Sequence, residues 1–240
     1  KFIIKDVNTK IFKRNPLAPF TTSTLQQTAS GRFGFGASRT MQIAQRLYQG
    51  IDIEGETTGL ITYMRTDGTN IAKDAVSIFR DYIMNEYGNE YLPKDPLSYS
   101  GKKAKNAQEA HEAIRPTDIF KSPSKVKKYL SSDQYKLYEL IWSRALSSQM
   151  QSAQFDRNTI TITSEDNKTI CKTSGSLIKF EGFLKVFKDQ KKDDDESILP
   201  EVKKGPINIE SLLDEQHYTQ PPPRYSEASL VKKLEELGIG

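Results

Sequence analysis

Cysteine and histidine are scarce in this chain. Its 240 residues include one cysteine and two histidines. A single Cys171 excludes an internal disulfide, and a reducing cytoplasm is therefore the expected compartment. Zinc is not expected either, because His111 has no second histidine one helical turn away and no cysteine nearby.

Long apolar runs are also absent. No stretch approaches the roughly 18 apolar residues that a membrane helix requires. Hydrophobic residues make up 36% of the chain and charged residues 28%. We therefore expect a globular protein of more than one domain with no membrane partner. The absence of an initiator methionine and of a signal pattern suggests a part of a longer protein.

Acidic residues are nearly missing from the first 50 residues, which hold eight Lys/Arg and one acid. The other 190 residues carry 27 Lys/Arg and 30 acids. Such asymmetry favours a basic face that binds a polyanion such as a nucleic acid. An ordinary solvated surface with excess lysine is the alternative.

The spacing of apolar residues predicts the elements. A period of two indicates strands in 1–14 and again from 159, in an antiparallel meander, and a short buried strand is predicted at 59–63. Residues 51–58 are expected to form a loop.

Helical spacing predicts a helix capped by Thr21 or Ser23, one that starts at Ser38 or Thr40, and others at 71–87, 107–114, 124–150 (two helices) and after Ser226. Gly31, Gly34 and Gly36 lack the spacing of a nucleotide loop and predict a tight turn between helices.

Tyr63 and Arg65 form the most informative pair. A tyrosine just after a buried strand can project its hydroxyl into a cleft, and Arg65 lies on the same side if the chain stays extended. A neighbouring cation favours the phenolate and neutralises a phosphate under attack. The alternative is that Tyr63 is a core tyrosine with a hydrogen-bonded hydroxyl.

Two further segments could bind phosphate. On a helix, Gln108, His111 and Arg115 share one face. Residues 224–233 place Arg224 before a helix start that carries Ser226 and Ser229. An ordinary salt-bridged helix and plain helix capping are the respective alternatives.

Six blocks together resemble the bacterial DNA topoisomerase I family, the type IA topoisomerases. They occur in the family's order along the whole chain: PFTTSTLQQ (19–27), RFGFGA (32–37), TMQIAQRLY (40–48), GLITYMRTD (59–67), AQEAHEAIRP (107–116) and RYSEASLVK (224–232).

The resemblance implies a role for each matching residue. Tyr63 would be the nucleophile that forms a 5′-phosphotyrosine with single-stranded DNA, Arg65 would contact the scissile phosphate, and His111 and Asp67 would assist there. The remaining candidates are DNA contacts: Arg115, Arg224, Ser229 and Lys232. Such an enzyme would relax negatively supercoiled DNA without ATP, as a monomer in the bacterial cytoplasm beside the nucleoid.

Magnesium is the implied cofactor, with its ligands in a Toprim domain that precedes this region in the family. No metal ligand is evident in this sequence, so the chain alone is expected not to cleave DNA. The segment 50–58 departs from the resemblance, because a shorter connection is expected in the commonest members of the family.

The implied fold is α+β and multidomain, part of a torus. Residues 1–14 and 152–200 would form a β-rich arch or hinge, 15–151 a helical domain carrying the tyrosine, and 201–240 a return segment into a base DNA-binding domain. Two other functions stay open: a decatenase-like member of the same superfamily, and a non-catalytic single-stranded DNA-binding scaffold.

Overall fold

A computed structural model describes residues 1–99, 112–188, 199, 201–211, 213–237 and 239. The described chain divides into two compact units. The sheet unit comprises Lys1–Asn15 and Ser152–Pro223, and the helical unit comprises Pro16–Gln151 and Arg224–Gly240. The presence of both helices and sheets confirms the α+β expectation, whereas the arch and the torus remain predictions.

The elements follow in chain order. They are β1 (Phe2–Arg14), α1 (Thr22–Phe33), α2 (Ala37–Gln49), β2 (Ile51–Ile53), β3 (Glu56–Thr58), α3 (Lys73–Tyr87), α4 (Pro123–Val126), α5 (Ser132–Ser147), β4 (Ala153–Ser164), β5 (Ile170–Phe180), β6 (Gly205–Ile207) and α6 (Glu227–Glu236). Short 3-10 turns occupy Asn89–Tyr91, Lys127–Tyr129 and Gly182–Lys185. None of the helices in the described ranges has the length and the apolar content of a membrane-spanning helix.

The sheet unit is built on one antiparallel sheet with strand order β5-β4-β1-β6. Strand β1 pairs with β4 along its length, from Phe2 opposite Ser164 to Arg14 opposite Ala153. Phe12 stacks on Phe155 at 4.9 Å between ring centroids, which fixes the register near one end. The antiparallel meander predicted from residue 159 is confirmed and begins at Ala153.

The helical unit buries its apolar side chains around α5. Tyr138 is fully buried and donates from its hydroxyl to the carbonyl of Lys121 at 2.6 Å. The Trp142 indole donates to the Ile119 carbonyl at 3.0 Å. These bonds satisfy the polar ends of large core side chains, so the core loses little by burying them.

The predicted turn between the first two helices is confirmed. Gly34 ends α1 with φ of 68°, a left-handed conformation that glycine adopts without strain. Thr21 caps α1, one of the two residues proposed for that role. The prediction that Ser38 or Thr40 begins α2 is wrong, because Gly36 is the N-cap and offers no side chain.

Two predictions for residues 51–63 need correction. The expected loop at 51–58 is a hairpin of β2 and β3, which turns at Glu54 and Gly55, both with positive φ. The expected strand at 59–63 is an irregular extended segment with one isolated bridge, from Ile61 to Pro116. Its backbone bonds are shared among several segments, so no continuous ladder forms.

The predicted helix at 107–114 is wrong at its end. Glu112 and Ile114 lie in isolated bridges to Asn70 and Phe20, so the chain is extended there. Residues 100–111, which include Gln108 and His111, lie outside the described residues.

The segment 201–240, expected as one return segment, is divided between the units. Gly205–Ile207 adds a strand beside β1, whereas α6 belongs to the helical unit and packs against α1. Pairing with β1 explains why 201–223 groups with the sheet unit. A base DNA-binding domain remains a prediction.

Candidate active site

The segment around Tyr63 alternates between exposed and buried side chains. Tyr63 is 49% exposed, and Arg65 and Asp67 are exposed as well. Met64 and Thr66 between them are 1% and 7% exposed. This period of two places Tyr63 and Arg65 on one side of an extended chain, as the sequence predicted, and it places Asp67 on that side as well.

One end of the segment is held by residues about 50 positions further along. The Thr62 amide donates to the Arg115 carbonyl at 2.9 Å, and its hydroxyl donates to the Ala113 carbonyl at 2.9 Å. The Thr117 amide donates to the Leu60 carbonyl at 3.0 Å. Residues 112–116, the part of the AQEAHEAIRP motif that the structure describes, thus lie beside the GLITYMRTD motif, which spacing alone could not show.

The other end of the segment is held by Thr22, in the first turn of α1. The Thr22 hydroxyl donates to the Met64 carbonyl at 2.7 Å and accepts the Thr66 amide at 2.8 Å. Its own amide donates to the Thr66 carbonyl at 2.9 Å. Thr21, the cap of the helix, fixes this turn through a reciprocal bond pair with Thr24. Tyr63 and Arg65 therefore stand on backbone held from both sides.

Sequence reasoning did not identify Thr22. The signal available was the cap itself, since a helix that begins after Thr21 places Thr22 at its first position, where a hydroxyl is free to reach another segment.

Tyr63 does not have the environment of a core tyrosine. Its ring meets the Tyr48 ring edge-on at 5.4 Å and 65°. Among the described residues, its hydroxyl has no hydrogen-bond partner. Tyr138 is the contrasting case: burial, and then the Asp118 carboxylate, raise the pKa of Tyr138 well above its usual value. The core-tyrosine alternative for Tyr63 is therefore wrong.

Arg65 and Asp67 have no ion pair or hydrogen bond within the part of the chain that the structure describes. Their side chains are exposed, so both groups are accessible to a ligand that approaches Tyr63. A guanidinium in this position can contact a phosphate through two parallel N–H groups.

Arg115 is occupied by a structural contact. Its guanidinium donates to both carboxylate oxygens of Glu112, at 2.6 and 3.1 Å, and the side chain is 14% exposed. Glu112 also accepts the Ala72 amide at 2.9 Å. This arrangement ties residues 112–115 to the start of α3. The DNA contact predicted for Arg115 stays untested, and His111 lies outside the described residues.

The other predicted DNA contacts lie in or beside α6. Arg224 is exposed, and Lys232 is 3.9 Å from Glu236. The Ser229 hydroxyl accepts the Ser226 amide at 2.8 Å, and the Ser226 hydroxyl accepts the Ser229 amide at 3.2 Å. This is the capping alternative, and it is confirmed. Whether these residues also contact DNA stays a prediction.

Glu227, in the first turn of α6, was also not identified from the sequence. Its carboxylate accepts the Ala37 amide at 2.9 Å and so caps α2 from a position 190 residues away. Gly36 leaves room for it, because a Cβ at Gly36 would lie 2.9 Å from the carboxylate oxygen.

No group of three or more His, Cys, Asp or Glu side chains that could hold a metal ion is found in the described ranges. Near Tyr63, Asp67 offers one exposed carboxylate. The described residues therefore do not fit a magnesium site, and no chemical step is assigned to a metal here.

Comparison with known proteins gives consistent similarities. A model of the family described as DNA topoisomerase matches residues 1–240. DNA topoisomerase 1 of Rickettsia typhi is 50% identical over 244 residues, which cover 100% of this chain and 31% of that protein. DNA topoisomerase 1 of Xylella fastidiosa (strain 9a5c) is 49% identical over 245 residues, which cover 99% of this chain and 30% of that protein.

A solved structure shows the same fold. Full-length topoisomerase I from Thermotoga maritima superposes with a TM-score of 0.81 at 36% identity, over 100% of this chain and 38% of that one. The chain thus spans about a third of the length of these relatives.

Proposed function

Because the chain belongs to the bacterial type IA DNA topoisomerase family, we propose that it carries the DNA-cleaving tyrosine of such an enzyme. The enzyme cuts one DNA strand in a single-stranded region, passes another strand through the gap and reseals the cut. This relaxes negatively supercoiled DNA without ATP. It works as a monomer in the bacterial cytoplasm. The observation that supports the proposal most is Tyr63, half exposed beside Arg65 on backbone held at both ends.

In the proposed reaction, the Tyr63 oxygen attacks the phosphorus of a phosphodiester and loses its proton. The bond from phosphorus to the 3′ oxygen breaks, and that oxygen takes up a proton to leave as a 3′ hydroxyl. The product is a 5′-phosphotyrosine. One phosphate ester replaces another, so the bond energy is retained and the 3′ hydroxyl can attack back to reseal the strand.

Arg65 would neutralise the phosphate while negative charge builds on it. Its guanidinium is exposed on the same side as Tyr63 and is not engaged by a described acid. His111 and Asp67 are the proposed assisting groups for the proton transfers. Magnesium, held by a Toprim domain, belongs to the proposal as an external requirement, so we expect no cleavage by the chain alone.

Covalent capture tests the proposal. The chain is mixed with a separately produced Toprim domain, magnesium and a labelled single-stranded oligonucleotide, and labelled protein is measured after denaturation. We expect an adduct that Tyr63→Phe abolishes. Tyr48→Phe is the matched control, since it keeps the ring that contacts Tyr63 and removes a neighbouring hydroxyl.

Two results would contradict the proposal. An adduct that persists in Tyr63→Phe and disappears in Tyr48→Phe would show that Tyr48, and not Tyr63, is the nucleophile. No adduct from the parent protein, despite confirmed assembly and DNA binding, would favour the non-catalytic scaffold. Omitting the Toprim domain tests whether the chain alone cleaves.

A further inference from the structure

A polar groove lies between α2 and the segment that follows Tyr63. Its volume is about 430 Å³, within the usual range for ligand pockets. The groove is formed by six side chains of α2 and by Arg65: Ser38, Met41, Gln42, Gln45, Arg46, Gln49 and Arg65. We call it the amide groove after its three glutamines.

Helix geometry explains why these side chains line up. Ser38, Gln42, Gln45 and Gln49 are separated by four, three and four residues, so they follow one face of α2. The opposite face carries the buried Ile43, Ala44 and Leu47 and holds the helix against the core. The groove wall is thus a fixed row of polar groups.

The charge of the amide groove is of one sign. Arg46 and Arg65 contribute two guanidiniums, and none of the seven lining residues is acidic. Arg46 is exposed and has no ion pair among the described residues, in contrast with Arg39, which pairs with Asp133. An unpaired guanidinium in an acid-free groove attracts an anion.

The neutral lining also suits a nucleotide strand. Glutamine amides both donate and accept hydrogen bonds, so they can serve phosphate oxygens and the edges of unpaired bases. Met41 adds an apolar surface that a base can contact. A small inorganic anion would use the guanidiniums and leave this row of amides unused.

Arg65 connects the groove to the candidate active site. It stands two residues after Tyr63 on the exposed side of the segment, and it also lines the amide groove. We infer that the amide groove binds the DNA strand next to the scissile phosphate, with Arg46 on a neighbouring phosphate and the glutamines beside the bases. This inference rests on the proposed function, because it takes Arg65 as the contact to the scissile phosphate.

The test measures binding of a labelled single-stranded oligonucleotide to the complete chain over a range of salt concentrations. Each phosphate contact to a single strand contributes about 0.7 to the slope of log affinity against log salt. Arg46→Gln should reduce the magnitude of that negative slope by about 0.7 and weaken binding about tenfold at low salt. Arg46→Lys should keep most of the slope.

Lys136→Gln is the control for loss of one positive charge. Lys136 is exposed on α5, in the same unit, and is not part of the groove. Its variant should keep the parent affinity and slope. Equal losses in Arg46→Gln and Lys136→Gln would show a nonspecific charge effect and overturn the inference.

Covalent capture with the Toprim domain and magnesium separates the two proposals. If Tyr63-dependent capture is intact while Arg46→Gln binds with the parent slope and affinity, the groove is wrong and the proposed function stands. If the assembled parent forms no adduct, the proposed function fails, and this inference fails with it.

Discussion

The helical unit buries Leu137 and Leu146 completely, whereas the sheet unit leaves Ile170, Leu177 and Ile178 of β5 between 45% and 59% exposed. The two units therefore hold their elements in place by different means. Side-chain packing around α5 dominates in the helical unit. In the sheet unit, the hydrogen bonds of the long antiparallel ladder between β1 and β4 contribute more to holding the strands in place.

The candidate catalytic residues within the described chain all lie in the helical unit. A nucleophile requires a fixed position, since a displacement of about 1 Å can cost a hundredfold in rate. The backbone under Tyr63 meets this need through buried neighbours, through hydrogen bonds with the Thr22 hydroxyl, and through the bond from the Thr62 hydroxyl to the Ala113 carbonyl. The comparison indicates that packing together with these tertiary hydrogen bonds, and not a continuous strand ladder, holds the site in place.

Two leucines of different burial should differ most in what their replacement costs. Leu137→Ala should lower the free energy of unfolding of the helical unit by about 2–5 kcal/mol, because it opens a cavity in a closed core. Leu177→Ala, at a side chain 45% exposed, should cost less than about 1 kcal/mol. Urea unfolding followed by the fluorescence of Trp142 reports on the helical unit, and far-ultraviolet circular dichroism reports on both. Equal losses of stability in the two variants would contradict the difference between the units.

An intermediate effect is expected at the anchor of the tyrosine segment. Thr22→Val keeps the shape of the side chain but leaves the Thr66 amide and the Met64 carbonyl without their partner. Stability should fall by about 1–3 kcal/mol, and adduct formation at Tyr63 should slow by at least about tenfold. Thr28→Val is the control, because the Thr28 hydroxyl bonds only within α1, to the Thr24 carbonyl. Capture rates equal to those of the control would contradict a positioning role for Thr22.

The weakest of these effects on stability is expected for Tyr99 at alkaline pH. Burial raises the pKa of Tyr99 to about 12, against the opposing influence of the Arg144 guanidinium. The unfolded chain ionises at a pKa of about 10. The contribution of Tyr99 to stability is therefore complete below pH 10 and is lost as the pH rises from 10 to 12.

Tyr99→Phe should reduce that alkaline loss without abolishing it, because burial also raises the pKa of Tyr138. Thermal unfolding between pH 9 and 12 measures the difference. Tyr218→Phe, at a side chain 73% exposed in the sheet unit, should leave the curve unchanged. A similar flattening in both variants would remove the contrast between the units.

Short-range patterns predicted what short-range forces decide. The alternation around Tyr63 and Arg65 follows from the period of an extended chain, and the turn at Gly34 follows from the freedom of glycine. The hairpin at 51–58 was also available from the sequence, since Ile51 and Ile53 alternate before a Glu-Gly turn.

Long-range contacts decided the rest. Residues 112–114 were predicted to be helical from local spacing, but pairing with Phe20 and Asn70 holds them extended. The cap of α2 could not be found near its start, because its acceptor is Glu227. The amide groove likewise depends on how close Arg65 lies to α2, which spacing does not reveal.

The cap that Glu227 places on α2 limits how the protein can be dissected. The helical unit consists of two chain segments, so no single contiguous piece reproduces it. A version that stops at Gln151 would leave the Ala37 amide without its acceptor and would weaken the first turn of the helix that carries Arg46 and Tyr48. A minimal tyrosine-bearing module therefore has to retain α6, or supply a new acceptor at position 36 such as Gly36→Asp.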